Sequence, residues 1–188
     1  MARIYMVRHG RAAAGWNVDP DPGLDELGRS QALAVATELV PRGAMDVVTS
    51  PLLRCRQTAF PTATAWGTEA RVEPRVGEIP SPEGYDLENR VDWLREAMAG
   101  TWTEVAERSG VHYRAYRDSV AAAVKELRRD TVVFSHFIAI NAVIGAATRD
   151  DRVVIASLDN CSVTVLDVSG DGTIALVETG GEADTLIR

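Results

Sequence analysis

No apolar run in the chain approaches the roughly 20 residues that a membrane-spanning helix requires. The amino terminus carries Arg3 and Arg8 within a strand-like pattern and has no secretory apolar segment, so the expected location is cytoplasmic. Cysteine is scarce. Cys55 and Cys161 fall on a predicted helix and a predicted strand, and in a reducing compartment both are expected as free thiols. Positive charge is short as well: 20 Lys and Arg face 27 Asp and Glu, for a net charge of -7. Such a surface disfavours nucleic-acid and anionic-membrane partners, and an anionic substrate would need locally clustered arginines. Only three histidines occur, His9, His112 and His136, with no H-x-H or H-x-x-x-H pair, so a transition metal has few ligands and no cofactor is expected. The G-x-x-x-x-G-K-[ST] phosphate loop is missing. A cysteine phosphatase would place an Arg six residues after its nucleophile, where this chain has Pro61 and Asp167.

What is present is an ordinary globular composition, 46% hydrophobic and 25% charged over 188 residues, which predicts one domain over 1–188. The most informative stretch is Ile4-Tyr5-Met6-Val7, a buried-strand run that stops abruptly at Arg8-His9-Gly10. Open α/β sheets bind ligands beyond the carboxyl ends of such strands. Arg8 offers a fork of donors for phosphate or carboxylate, His9 a nucleophile or base, and Gly10 close backbone approach to an anion. The triplet alone is equally compatible with a strand end finished by a surface Arg and a turn Gly.

Residues Arg11 to Gly23, with Pro20, Pro22 and Gly23, read as an active-site loop, and Asp19-Pro20-Asp21-Pro22 is better taken as loop than as a D-x-D motif. Asp25 predicts an N-cap for a helix with Leu27, Ala32, Leu33, Ala36, Leu39 and Val40 at helical spacing, stopped by Pro41. Asp46 to Thr49 form a second strand. Ser50-Pro51 signals a helix start, with Arg54 in the first turn, where free N–H groups already favour anions. That helix runs to about Trp66, with Pro61 a potential kink. Ala70 to Val76 predicts an edge strand, and Glu78 opens a loop from Gly77 to Tyr85. Helices are expected at Leu87 to Met98, Trp102 to Glu107 and Tyr113 to Leu127, then a buried strand at Thr131 to Phe134, Ser135-His136, and an apolar helix from Ile138 to Ala147. Val153 to Ile155, Ser162 to Val168 and Thr173 to Val177 complete the strands, the last two as a hairpin around Gly170-Asp171-Gly172. The fold class is therefore α/β, a three-layer sandwich with a mostly parallel sheet between helices.

His112 begins an amphipathic helix and is expected to be exposed. His9 and His136 each follow an apolar strand at the same predicted sheet edge, and two equivalent positions weaken the reading of either as a satisfied core histidine. The set Arg8-His9-Gly10, Leu24 to Gly28 with Gln31-Ala32, Thr49-Ser50-Pro51-Leu52-Leu53-Arg54-Cys55-Arg56-Gln57-Thr58-Ala59, Glu78 and Ser135-His136 resembles the histidine phosphatase superfamily, with its phosphoglycerate mutase-like fold, over nearly the whole chain.

The resemblance implies that His9 attacks phosphorus to give a phosphohistidine, that Arg8 and Arg54 grip the phosphoryl oxygens with His136 completing the pocket, and that Glu78 serves as proton donor and acceptor, without a metal. The implied activity is hydrolysis of a small phosphorylated substrate; a phosphomutase and a non-catalytic phosphate-binding module are the alternatives. Two departures from the family pattern stand out. Phe137 follows His136 where the family usually has Gly, which puts a ring beside the pocket or into the core. The polar residue that often follows R-H-G has no clear counterpart, and Asn17 is not assigned its role. Arg56, about 200° around the helix from Arg54, is expected at the pocket rim or in solvent. Trp16, Trp93 and Trp102 are candidates for the cleft, though core packing is the commoner use of tryptophan.

Overall fold

The computed structural model describes residues 1–15, 18–84 and 89–182, so Trp16, Asn17, the end of the Gly77 to Tyr85 loop and the first two residues of the helix expected from Leu87 lie outside the described residues. Six strands form one sheet in the order β3-β2-β4-β1-β5-β6. They are β1 Ala2–Arg8, β2 Asp46–Thr49, β3 Arg71–Val72, β4 Thr131–Ser135, β5 Val163–Val168 and β6 Ile174–Glu178. The β1/β4, β2/β4 and β2/β3 pairs are parallel, while β5 runs antiparallel to both β1 and β6. The expected carboxyl-terminal hairpin is therefore present at the sheet edge.

Helices cover both faces, as the near-continuous apolar composition of β1 and β4 requires. On one side α1 (Glu26–Leu39) and α2 (Leu53–Ala65) bury Val35, Leu39, Cys55, Ala59 and Ala63 against Tyr5, Val7, Val132 and Phe134. On the other, α5 (His112–Lys125) and α6 (Phe137–Thr148) pack Val120, Val124, Ile140 and Ile144 on Ile4, Met6 and Val133. A third cluster joins α3 (Asn89–Ala99) and α4 (Trp102–Ser109) to α5, with Trp93 and Trp102 buried in it. Those two tryptophans thus belong to the core and not to the cleft. His112 is exposed, as its amphipathic helix implied.

Local signals account for several boundaries. Asp25 caps α1 by accepting the Gly28 N–H at 2.7 Å, an interaction whose loss to alanine typically costs ~1 kcal/mol. A reciprocal box between Thr101 and Glu104 starts α4. Other boundaries differ from expectation. Leu27 and Leu33 are 45% and 61% exposed, because the stripe that meets the sheet is the narrower Ala32, Val35, Ala36 and Leu39. The edge strand shrinks to Arg71–Val72, since Pro74 lacks an N–H for the ladder and opens a 3-10 turn capped by Glu73. Val153 to Ile155 is no strand: Gly100 O takes the Val153 N–H, and Asn141 Oδ1 takes those of Ile155 and Ala156. Pro61 sits inside α2 without ending it.

Candidate active site

Register places the chemistry. Arg8 lies opposite Ser135 in the β1/β4 pair, so His9 and His136 leave adjacent strands side by side, with ring centroids 5.3 Å apart. Thr49 lies opposite Phe134, which brings Ser50 to the same edge. His9 is held through its backbone: its N–H donates to Ser135 O at 3.0 Å, and its carbonyl accepts from Asn160 Nδ2 at 2.8 Å. Gly10 donates to Thr58 Oγ1 at 3.0 Å. The absent side chain of Gly10 serves packing, because a Cβ there would stand 2.6 Å from Gly28 O at the start of α1. That helix contact is a use of the missing side chain that the sequence did not announce.

The side chains converge as the sequence implied. His9 Nδ1 lies 2.8 Å from Gly10 O, to which it donates, and this assigns the lone pair to Nε2. Arg54 Nε donates to that Nε2 at 3.3 Å. The same guanidinium places Nη2 at 3.3 Å from His136 Nδ1 and 3.7 Å from Glu78 Oε2. Arg8 donates to Leu158 O at 2.6 Å, with its guanidinium carbon 5.2 Å from the centre of the Phe137 ring. Phe137 therefore does both of the things open to it: it flanks the pocket at Arg8 and packs into the core clusters. Arg56 points to solvent.

Burial and the two arginines act on every titrating group here. Burial first, then Arg54 and Arg8, hold the His9 imidazole well below its usual range, so it is neutral at physiological pH. Burial, Arg54 and His9 do the same to His136. Glu78 moves up, because the cost of burying a carboxylate outweighs the pull of Arg54 and the Ile79 N–H. A proton on Oε2 also suits its position 3.4 Å from His136 Nδ1, which the Arg54 contact marks as an acceptor. Among the described residues, Arg8 Nε and Arg54 Nη1 are buried without a hydrogen-bond partner, in keeping with donors built to meet an anion.

Sequence reasoning missed the supports. Ser50 does not cap α2 with Pro51 as its first residue; the helix starts at Leu53, and Ser50 Oγ pairs with His136 Nε2 at 2.8 Å. Cys55, fully buried, donates to Ser135 O at 3.4 Å and touches the same imidazole; burial pushes its thiol far up, which excludes a thiolate. Gln57 Oε1 takes the Leu24 N–H at 2.6 Å and so ties the first loop to α2. The Glu78 segment hangs from three hydroxyls, with Ser135 Oγ on Val76 O at 2.7 Å, Tyr116 on Gly77 O at 3.0 Å and Tyr113 on Pro80 O at 3.1 Å. The spacing of Tyr113 and Tyr116 on one helix face was the available signal. Arg90 of α3 acts electrostatically on Glu78, and no local pattern in the sequence points to it.

His9, Glu78 and His136 present ligand atoms within 4.8 Å of one another, a geometry open to a metal ion. Arg54, within 3.3 to 3.7 Å of a donor atom on each of the three, sets a positive charge against any cation there.

A sheet edge that gathers paired histidines, two arginines and a carboxyl held above its ordinary range suits phosphoryl chemistry, and the chain belongs to the histidine phosphatase superfamily (branch 1), whose family model matches residues 4–179. It is 28% identical to the probable phosphoglycerate mutase GpmB of Escherichia fergusonii, over 99% of this chain and 95% of that protein. A mycobacterial glucosyl-3-phosphoglycerate phosphatase in complex with inorganic phosphate superposes with a TM-score of 0.72 at 25% identity, covering 97% of this chain and 98% of that one. The phosphoserine phosphatase of Entamoeba histolytica, in complex with 3-phosphoglyceric acid, shares the fold with a TM-score of 0.71 at 18% identity, covering 98% of each chain.

Proposed function

We propose that the protein is a phosphomonoester hydrolase working through a phosphohistidine on His9. The observation that carries this reading is the Nε2 lone pair of His9, fixed by the Nδ1 contact to Gly10 O and set against Arg54 Nε at 3.3 Å. In the first step the Nε2–P bond forms and the ester O–P bond breaks, while Glu78 gives its proton to the leaving alkoxide. In the second, Glu78 takes a proton from water, the oxygen attacks phosphorus, the N–P bond breaks, and phosphate leaves with His9 neutral again. Arg8, Arg54 and His136 neutralise the equatorial oxygens throughout. The arginines do the work of a metal, so turnover should survive exhaustive chelation by EDTA. The single domain over 1–188 would act in the cytoplasm on a small phosphorylated substrate, without nucleic-acid or membrane partners.

The test is to quench turnover of a labelled phosphomonoester and map the label. Acid-labile, alkali-stable label on His9, lost in His9→Ala together with activity, is expected; label on Ser or Asp would overturn the mechanism. The curated relatives named as mutases give one specific reason for a second reading. Incubation with 3-phosphoglycerate and 2,3-bisphosphoglycerate separates the two: isomerisation faster than phosphate release marks a mutase.

A further inference from the structure

The loop between β1 and α1 brings an acid against the start of α2. Asp21 Oδ1 accepts the Leu53 N–H at 2.8 Å and stands 3.9 Å from Arg54 Nη1. Leu52, the residue before the helix, has no side-chain oxygen to offer, so α2 is capped from a separate loop. The guanidinium edge that Arg54 turns toward this loop is the one without a hydrogen-bond partner among the described residues. Asp21 itself is 45% exposed while Arg54 is 3%, so the carboxylate lies at the mouth and the cation in the floor. Asp159, from the loop that also accepts the Arg8 donor, acts on Arg8 from another side. Arg90 of α3 acts on Glu78 and Arg54.

We propose that Asp21 is a specificity determinant which disfavours a second anionic group on the substrate, so that the enzyme takes phosphomonoesters of neutral or cationic alcohols over those bearing a carboxylate or second phosphate near the ester. This inference rests on the phosphatase reading and names its substrate class. The phosphoryl dianion meets Arg8 and Arg54 in the floor, whereas the leaving alcohol must extend toward the mouth. A leaving-group carboxylate ~6 Å from Asp21, in a mouth open to solvent, loses binding by about fivefold at an effective dielectric of roughly 60.

Glycerol 3-phosphate and 3-phosphoglycerate are nearly isosteric and differ by that carboxylate. Wild type should prefer the former in kcat/KM, and Asp21→Asn, whose amide oxygen still accepts the Leu53 N–H, should shift the ratio about fivefold toward 3-phosphoglycerate. The shift should shrink as salt is raised. An unchanged ratio, or a change common to both esters, would overturn the inference and leave Asp21 as a helix cap. Calorimetric affinities of both compounds for both proteins give a readout independent of turnover. Absence of hydrolysis and of phosphoenzyme would defeat the phosphatase reading, whereas an equal 3-phosphoglycerate affinity in the two proteins would defeat this inference alone.

Discussion

Replacing Glu78 by Gln removes a transferable proton while keeping shape. The Oε1 position still accepts the Ile79 N–H at 3.0 Å, and an amide then occupies the place of Oε2, 3.7 Å from Arg54 and 3.4 Å from His136. An alkyl alkoxide is a strong base and needs a proton as its bond to phosphorus breaks; p-nitrophenolate hardly needs one. General acid catalysis is commonly worth 10²- to 10⁴-fold, so kcat/KM for an alkyl phosphate should fall ~10³-fold, or about 4 kcal/mol, and that for p-nitrophenyl phosphate less than about tenfold. Steady-state kinetics on the two esters measures the gap. The pH profile supplies a second signature: the acid must be protonated, so wild-type kcat/KM on the alkyl ester declines as pH rises through the elevated pKa of Glu78, and Glu78→Gln loses that decline. Equal losses on both esters would refute the reasoning and move attention to Glu83, exposed on the same loop.

The buried neutral histidines predict acid lability. Both have folded pKa values below the ordinary 6.5, so their contribution to stability is full above that value and is lost as pH falls below it. Chemical denaturation between pH 7.5 and 5 should show the loss, and His9→Gln combined with His136→Gln should flatten it. Tyr116→Phe and Tyr113→Phe free the carbonyls on either side of Glu78, and each should lower kcat on alkyl phosphates by about tenfold while sparing p-nitrophenyl phosphate, a split that general loss of fold would not produce. Ser50→Ala takes away the partner of His136 Nε2, with kcat expected to fall roughly tenfold and Ser50→Thr expected to restore part of it.

Much of the fold was legible because strand and chemistry share a boundary. β1 and β4 are apolar runs that stop at Arg8-His9 and Ser135-His136, and the sheet places both ends together. The five residues implied by family resemblance converge because two strand ends, one helix start and one loop meet at that edge. Ser50 shows where reading by sequence stops. Ser-Pro is a general helix-start signal, but the Ser50 hydroxyl takes only the Leu52 N–H, at 3.3 Å and ahead of a helix that starts at Leu53, and its shorter contact is the tertiary one with His136. Val153 to Ile155 fails for a similar reason, since its backbone partners are Gly100 O and the side chain of Asn141, which no local pattern announces. The tyrosine hydroxyls that hold Glu78 bridge more than 30 positions along the chain, beyond any periodicity.

Every residue assigned to the reaction lies before Phe137, yet the far wall of the pocket is built from the carboxyl-terminal part of the chain. Leu158 O anchors Arg8, Asn160 holds the carbonyl of His9, and Cys161 and Ser162 bond to the backbone of Arg8. Strand β1, first from the ribosome, must wait for β4 and then β5 to flank it on either side. A nascent chain that already carries His9, Glu78 and both arginines therefore has no assembled site until residues 158–168 dock, and a shortened chain ending near residue 150 should carry all the groups of the proposed reaction without that site.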